Sequence, residues 1–253
     1  MLPADVYQHM YQAALEAPEG NMVEVGCAHG AGTVCMAAGL RDSGRRGTVF
    51  TFEKIIGGTR EAFGGVDENT RIILGNFAHF GVADRIELTI GDVEDCAHAV
   101  PEDHPIALLC LDADGAIDRD FALFYDQVVH GAPIVIDDVL DRTRLKPDGW
   151  QRLNRKLKVD QKHRLSFAML DLFQKKGLLD EGCIRGTDTW FGHKTQERFA
   201  SVDAREILHV YRSMTFGEAT LSMLPMRAAL AAMLNKVLPR STVETLKGIE
   251  QGK

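Results

Sequence analysis

Through the first half of the chain, apolar runs of strand length alternate with helix-length amphipathic stretches. This is the pattern of a parallel sheet with crossover helices. Met22-Val-Glu-Val-Gly26 reads as a first strand and residues 31–42 as the helix that follows it. Thr48-Val-Phe-Thr-Phe-Glu53 reads as a second strand ending on an acid, residues 85–91 as a third, 106–111 as a fourth and 132–136 as a fifth. The last two are almost unbroken apolar runs, as expected of strands covered on both faces. Residues 140–160 break the pattern, being polar and basic with a turn at Pro147-Asp-Gly149. A helix is expected over 161–176, then two tightly joined strands over 182–187 and 188–192. The stretch 196–248 is helical in composition. The fold class is α/β: a doubly wound, mostly parallel sheet with a late antiparallel strand over residues 1–195, and a helical extension over 196–253.

Composition narrows the function. A chain of 253 residues with 45% hydrophobic positions can build one large core. Lys and Arg number 29 against 36 Asp and Glu, a net charge of −7, which disfavours generic nucleic-acid binding. No apolar run reaches the roughly 18 residues of a membrane span. The N-terminal residues lack the basic and apolar regions of a signal peptide. Cysteines 27, 35, 96, 110 and 183 are odd in number and form no C-x-x-C pair. This argues against a disulfide scaffold or structural zinc and for a reducing cytoplasmic setting.

The first strand runs into Val23-Glu-Val-Gly26-Cys-Ala-His-Gly30-Ala-Gly32-Thr33. Glycines at such a turn let the chain bend sharply and let a ligand approach the backbone. The spacing is G-x-x-x-G-x-G rather than the dinucleotide G-x-G-x-x-G. An acid, Glu24, precedes it, where it would repel pyrophosphate and welcome an ammonium group. Glu53, ending the second strand, can accept the hydroxyl hydrogens of a ribose. A ribose and a cation without phosphate describe S-adenosylmethionine; the other reading is a strand–helix turn that binds nothing.

These features, with Gly91-Asp92 after the third strand, resemble the class I S-adenosylmethionine-dependent methyltransferases over residues 20–195. The resemblance implies a Rossmann-like methyltransferase sheet. It also implies that Gly26, Gly30 and Gly32 line the methionine part of the cofactor and that Glu53 holds the ribose. Asp92 would then meet the adenine amino group, unless it is the N-cap of a helix over 93–99.

The fourth strand ends Leu111-Asp112-Ala-Asp114 and the fifth Ile136-Asp137-Asp138. In an open α/β sheet the ligand crevice lies outside the carboxyl ends of the strands, so these acids should converge. Like charges so gathered call for protons or a cation, and hard oxygen donors suit Mg²⁺, Ca²⁺ or Mn²⁺. Otherwise they cap helices or pair with Arg142 and Arg144. The pattern is similar to metal-dependent O-methyltransferases, both the catechol and caffeoyl-CoA types and the macrocin and mycinamicin sugar types. By that resemblance Asp112, Asp137 and Asp138 hold the metal, Mg²⁺ first among the choices, and Asp112 also borders the cofactor. Catechol-type enzymes carry a base lysine three residues after the first aspartate, and here that residue is Gly115. The base is therefore open among Asp112, His29 and His193.

Residues 142–164 hold nine basic residues, including Lys162 and Arg164, against Asp148 and Asp160. The segment can be a lid that gathers a polyhydroxylated or anionic acceptor, with Trp150 stacking on a sugar, or a solvated face. Residues 221–238 suit a packing or homodimer surface better than an interfacial membrane helix, having only Arg227 and Lys236 as cations. The sequence points to a metal-assisted O-methyltransferase acting on a sugar, oligosaccharide or glycosylated metabolite, methylmannose polysaccharides among them. Catechol or phenylpropanoid methylation is the runner-up. Outside that class stand a nicotinamide-dependent oxidoreductase, opposed by the glycine spacing and the lack of a Tyr-x-x-x-Lys pair, and a non-catalytic nucleoside-binding protein.

Overall fold

The computed structural model describes residues 2–55, 64–112, 114–142, 144–147, 157–195 and 198–216, with backbone alone for 144–147, 157–160, 215 and 216. Two compact units divide the chain, Met1–Ile207 and Leu208–Lys253. Trp150 and the 221–238 stretch lie outside the described residues.

In chain order the strands are β1 (Asn21–Val25), β2 (Val49–Glu53), β3 (Ile86–Ile90), β4 (Ile106–Leu111), β5 (Pro133–Ile136), β6 (Arg144–Pro147), β7 (Leu157–Asp160), β8 (Cys183–Arg185) and β9 (Thr189–His193). The helices are α1 (Ala4–Glu16), α2 (Ala31–Asp42), α3 (Gly65–His79), α4 (Val93–Cys96), α5 (Ile117–Phe124), α6 (Lys162–Lys175) and α7 (Ala204–Phe216). Seven strands form one sheet in the order β3-β2-β1-β4-β5-β9-β8, while β6 and β7 pair as a separate antiparallel ribbon. β1 to β5 run parallel, and β9 enters antiparallel to β5. The Rossmann-like sheet with a late antiparallel strand expected from the sequence is the observed architecture.

Chain order reverses between β1 and β4, so a crevice opens at their carboxyl ends. Register fixes what faces that crevice. Val25 is level with Leu111, and Leu111 with Ile136. The next residues, Gly26, Asp112 and Asp137, therefore leave the sheet side by side. Backbone bonds hold this level: the Asp112 N–H donates to Val25 O at 2.8 Å and the Asp137 N–H to Leu111 O at 2.9 Å.

Every residue of β1, β2, β4 and β5 is buried, matching their continuous apolar runs. α1 has no counterpart in the sequence reading. It buries only Val6, Met10 and Ala14, a narrow stripe laid against α2. Arg45 fastens its far end by donating to the Ala14 and Leu15 carbonyls at 2.8 and 2.6 Å, where the helix leaves carbonyls without partners. At its start, Asp5 accepts the N–H of Gly186 in the β8–β9 turn at 3.1 Å. α1 is thereby brought to the crevice edge.

Candidate active site

A cavity of about 820 Å³ opens over the carboxyl ends of β1, β4 and β5. The loop from Gly26 to Gly32 forms one wall, Asp112, Asp137 and Asp138 another, and Leu2, Pro3, Tyr7 and Met10 of the α1 region a third. Asp188 and Thr189, from the turn into β9, complete it.

The glycine loop turns because Gly30, ahead of α2, adopts φ +84°, a left-handed conformation costly for other residues. Ala28 also lies left-handed at φ +57°. Its N–H donates to Glu53 Oε2 at 2.8 Å, so the acid ending β2 braces the loop. Glu24 is buried beneath that loop, level with Thr51 of β2. Thr33 and Thr51 hydroxyls both donate to its Oε2. Burial pushes the Glu24 carboxyl up to about 7, the two threonines opposing that rise. Gly32 sits directly over Glu24: a Cβ there would strike Oε1, with Met10 Cε 2.9 Å away on the other side. Gly32→Ala is accordingly expected to cost about 1–3 kcal/mol by overpacking, read as a fall of several degrees in thermal unfolding. An unchanged melting temperature would show that the loop has slack.

The three aspartates expected to gather do so: Asp112, Asp137 and Asp138 each present an oxygen, all within 4.8 Å of one another. Asp137 Oδ1 accepts the Thr189 hydroxyl at 2.6 Å. Burial is the main cause raising both Asp112 and Asp137, Asp112 to about 8 with Asp137's charge adding to the effect. The Lys162 ammonium opposes both rises, but burial outweighs it. Asp138 lies at φ +58°. That turns its carboxylate toward α6, where Lys162 Nζ meets Oδ2 and His163 Nε2 lies 2.6 Å from Oδ1. Lys162 Nζ is also 3.6 Å from Asp112 Oδ1. His163 is buried, with Nε2 3.4 Å from Asp188 Oδ2, yet neither ring nitrogen makes a well-aligned hydrogen bond.

Other predicted residues fall elsewhere. His29 lines the cavity, its Nε2 3.3 Å from Asn69 Oδ1. His193 does not line it; its Nδ1 lies 2.8 Å from Asp180 Oδ2 on an exposed surface. Asp92 caps α4 by accepting the Glu94 N–H at 3.1 Å, and Lys54 Nζ donates to it at 2.5 Å. That ammonium holds the Asp92 carboxyl below its ordinary range. Arg142 has no ion pair among the described residues, and the cation that meets the acid cluster there is Lys162. Tyr7, His163 and Asp188 were not singled out by the sequence. Tyr7 sits on a helix whose apolar stripe is faint, and His163 and Asp188 are far in sequence from the acids they approach.

Hard carboxylate oxygens at this spacing fit a divalent cation by their chemistry. Asp138, His163 and Asp188 form a second convergent group that shares Asp138.

Residues 23–139 match the family model described as a methyltransferase domain. The match begins in β1 and ends just past Asp138, spanning the glycine loop and all three aspartates. That segment, which covers less than half of the chain, is similar to a methyltransferase domain. Among solved structures, the chain is similar to cofactor-bound Rv0187 from MTB, at 20% identity and TM-score 0.56, covering 78% of this chain and 83% of that one. It is similar to the O-methyltransferase TomG from Streptomyces achromogenes, solved with SAM, at 15% identity and TM-score 0.57, covering 78% and 82%. An O-methyltransferase from Bacillus cereus in complex with SAH matches at 15% identity and TM-score 0.55, covering 78% and 83%. At these identities the likeness establishes the fold. No curated protein matches the sequence significantly. Among the described residues, no helix is long and apolar enough to cross a membrane.

Proposed function

We propose that the protein is an S-adenosylmethionine-dependent O-methyltransferase acting on a hydroxyl of a sugar, oligosaccharide or glycosylated metabolite. The observation that carries this reading is one cavity with Glu24 beneath a glycine loop at one side and three aspartates at the other. The SAM- and SAH-bound O-methyltransferases of like fold support the choice of cofactor.

In this reading Gly26, Gly30 and Gly32 let the methionine part of the cofactor lie against the backbone. Glu24 attracts its ammonium group through the floor of the loop. Glu53, already braced against Ala28, offers its carboxylate to the ribose. Asp92 is assigned to capping α4 instead of to the adenine, since its two oxygens serve Glu94 and Lys54. The acceptor enters over Asp112, Asp137 and Asp138. Carboxylates accept from several hydroxyls at once, which suits a polyhydroxylated ring.

Asp112, Asp137 and Asp138 would hold a divalent cation, which when bound supplies Lewis-acid chemistry that makes a neighbouring hydroxyl more acidic. The chain's own residues do the rest. The acceptor oxygen forms a bond to the methyl carbon while the carbon–sulfur bond breaks, its electron pair remaining on sulfur. The hydroxyl proton passes to the aspartate cluster, with Asp112 nearest the glycine loop by register. His29 lines the cavity and is the other candidate acceptor, whereas His193 faces away. Holding oxygen, methyl and sulfur in line is where most of the rate gain arises. The β6–β7 ribbon follows β5 directly and is assigned as the cover over the acceptor.

The test is incubation with labelled S-adenosylmethionine and a panel of sugars, glycolipids and catechols, with and without Mg²⁺. Label is expected on a sugar hydroxyl and is expected to fall on adding a chelator. Transfer confined to catechols would replace the acceptor class. Label unaffected by chelators would remove the cation from the mechanism.

A further inference from the structure

The cation present at the carboxylate cluster belongs to the chain itself. Lys162 begins α6, and its Nζ contacts Asp138 Oδ2 and stands 3.6 Å from Asp112 Oδ1. It is mostly buried, its side chain 21% exposed.

Two other residues make room for it. Gly115, at φ +87°, has no side chain where the stem of Lys162 passes. A Cβ there would lie 2.9 Å from the Lys162 carbonyl oxygen and 3.2 Å from its Cγ. Asp138, turned by its left-handed backbone, points at the start of α6, where consecutive residues Lys162 and His163 meet its two oxygens. The Val139 N–H, donating to Asp188 O at 2.7 Å, and the Leu140 N–H, to His163 O at 3.4 Å, pin the backbone after Asp138. The ammonium is thus placed by several independent contacts.

Its position has a consequence for metal binding. The oxygens it contacts belong to two of the three carboxylates that would ligate a divalent ion. An ammonium and a divalent cation cannot occupy the same few ångströms, because like charges at that distance in a partly dry site repel strongly. We propose that Lys162 is the resident cation of this cluster and competes with a divalent ion for Asp112 and Asp138, so that metal enters only by displacing its ammonium. The inference rests on the cluster being the acceptor end of the methyltransferase site proposed above. It adds that metal affinity is set by a residue outside the ligand set, and that metal binding releases a tethered positive charge beside the acceptor.

Titration calorimetry of the full-length protein with MgCl₂ and MnCl₂ tests this directly. Lys162→Met is expected to tighten divalent binding at least about tenfold, since one unit of opposing charge is removed. Lys162→Arg, which keeps the charge, is expected to stay close to the parent protein. Equal or weaker metal binding by Lys162→Met, or no binding by any of the three proteins, overturns the proposal.

If Lys162→Met does not fold, the parent protein serves with an amine-acylating anhydride and peptide mass spectrometry. Mg²⁺ is expected to raise acylation of Lys162 several-fold relative to Lys54. Unchanged or lower acylation overturns the proposal. S-adenosylmethionine is titrated in the same experiments. Binding of it without a Lys162 effect sinks this inference alone, and its failure to bind sinks the methyltransferase reading instead.

Discussion

Asp112→Asn is expected to lower the rate of methyl transfer by about 10²–10⁴-fold, the range for removal of a positioned proton acceptor. The substitution keeps the shape of the side chain, and the Asp112 backbone bond to Val25 is unaffected. What it removes is a carboxylate whose environment has made it basic. With no divalent cation on the cluster, burial and the charge of Asp137 raise its carboxyl to about 8, where it can take a proton near neutral pH. The loss is expected in kcat, measured with saturating cofactor, because the proton moves only as the new bond forms. A rate within a few-fold of the parent protein would remove Asp112 from proton transfer and leave His29 as the remaining candidate lining the cavity.

Glu24→Gln is expected to weaken S-adenosylmethionine binding by about 10–100-fold above pH 7, the worth of a buried charge-assisted contact. The same change is expected to stabilise the cofactor-free protein at that pH. Glu24 ordinarily titrates at 4.5 and in the fold at about 7. A carboxyl raised on folding contributes stability that is fully present below 4.5 and lost as the pH rises through 7. The loss amounts to about 3 kcal/mol, from the conversion between pKa and free energy. Glutamine carries no charge to bury, and its carbonyl can still accept from Thr33 and Thr51. The parent protein should therefore melt lower as pH rises from 5 to 8, and Glu24→Gln should flatten this decline. Cofactor affinity should run the other way, rising with pH in the parent and staying level in the variant. Parallel pH profiles for the two proteins would dissociate Glu24 from cofactor recognition. Both trends can be read from thermal melts with and without cofactor.

The two substitutions probe opposite ends of one cavity, and they differ in how readable their positions were. Glu24 and Asp112 follow directly from the strand pattern, because each sits at or near the end of an apolar run. The same holds for Asp137 and Asp138. A buried strand must be apolar along its length, so a polar residue at its carboxyl end stands out, and the topology rule places that end at the ligand crevice. Glu53 was legible for the same reason, although its observed bond to the Ala28 N–H adds a bracing role that no spacing could disclose. Asp92 shows the limit of end-of-strand reasoning. Its motif admitted a ligand or a cap; Asp92 caps α4 by accepting the Glu94 N–H, and its other oxygen pairs with the Lys54 ammonium.

The succession of strands along the chain, the glycine turn and the placing of acids at strand ends were determined by the sequence alone, because hydrophobic period and strand-end polarity are local properties of the chain. Which cation meets those acids was decided only by tertiary structure. Lys162 lies 24 residues beyond Asp138 (162 − 138), inside a basic stretch where nothing distinguishes it from its neighbours. Its selection depends on the bare Gly115 that admits its stem, the left-handed Asp138 that turns toward it, and the start of α6 beside both. The third wall is likewise tertiary. α1 carries a stripe too thin to announce a helix, and it reaches the cavity because Asp5 and Arg45 anchor its two ends to distant loops. Contacts of this kind join residues far apart in the chain, and no local pattern records them.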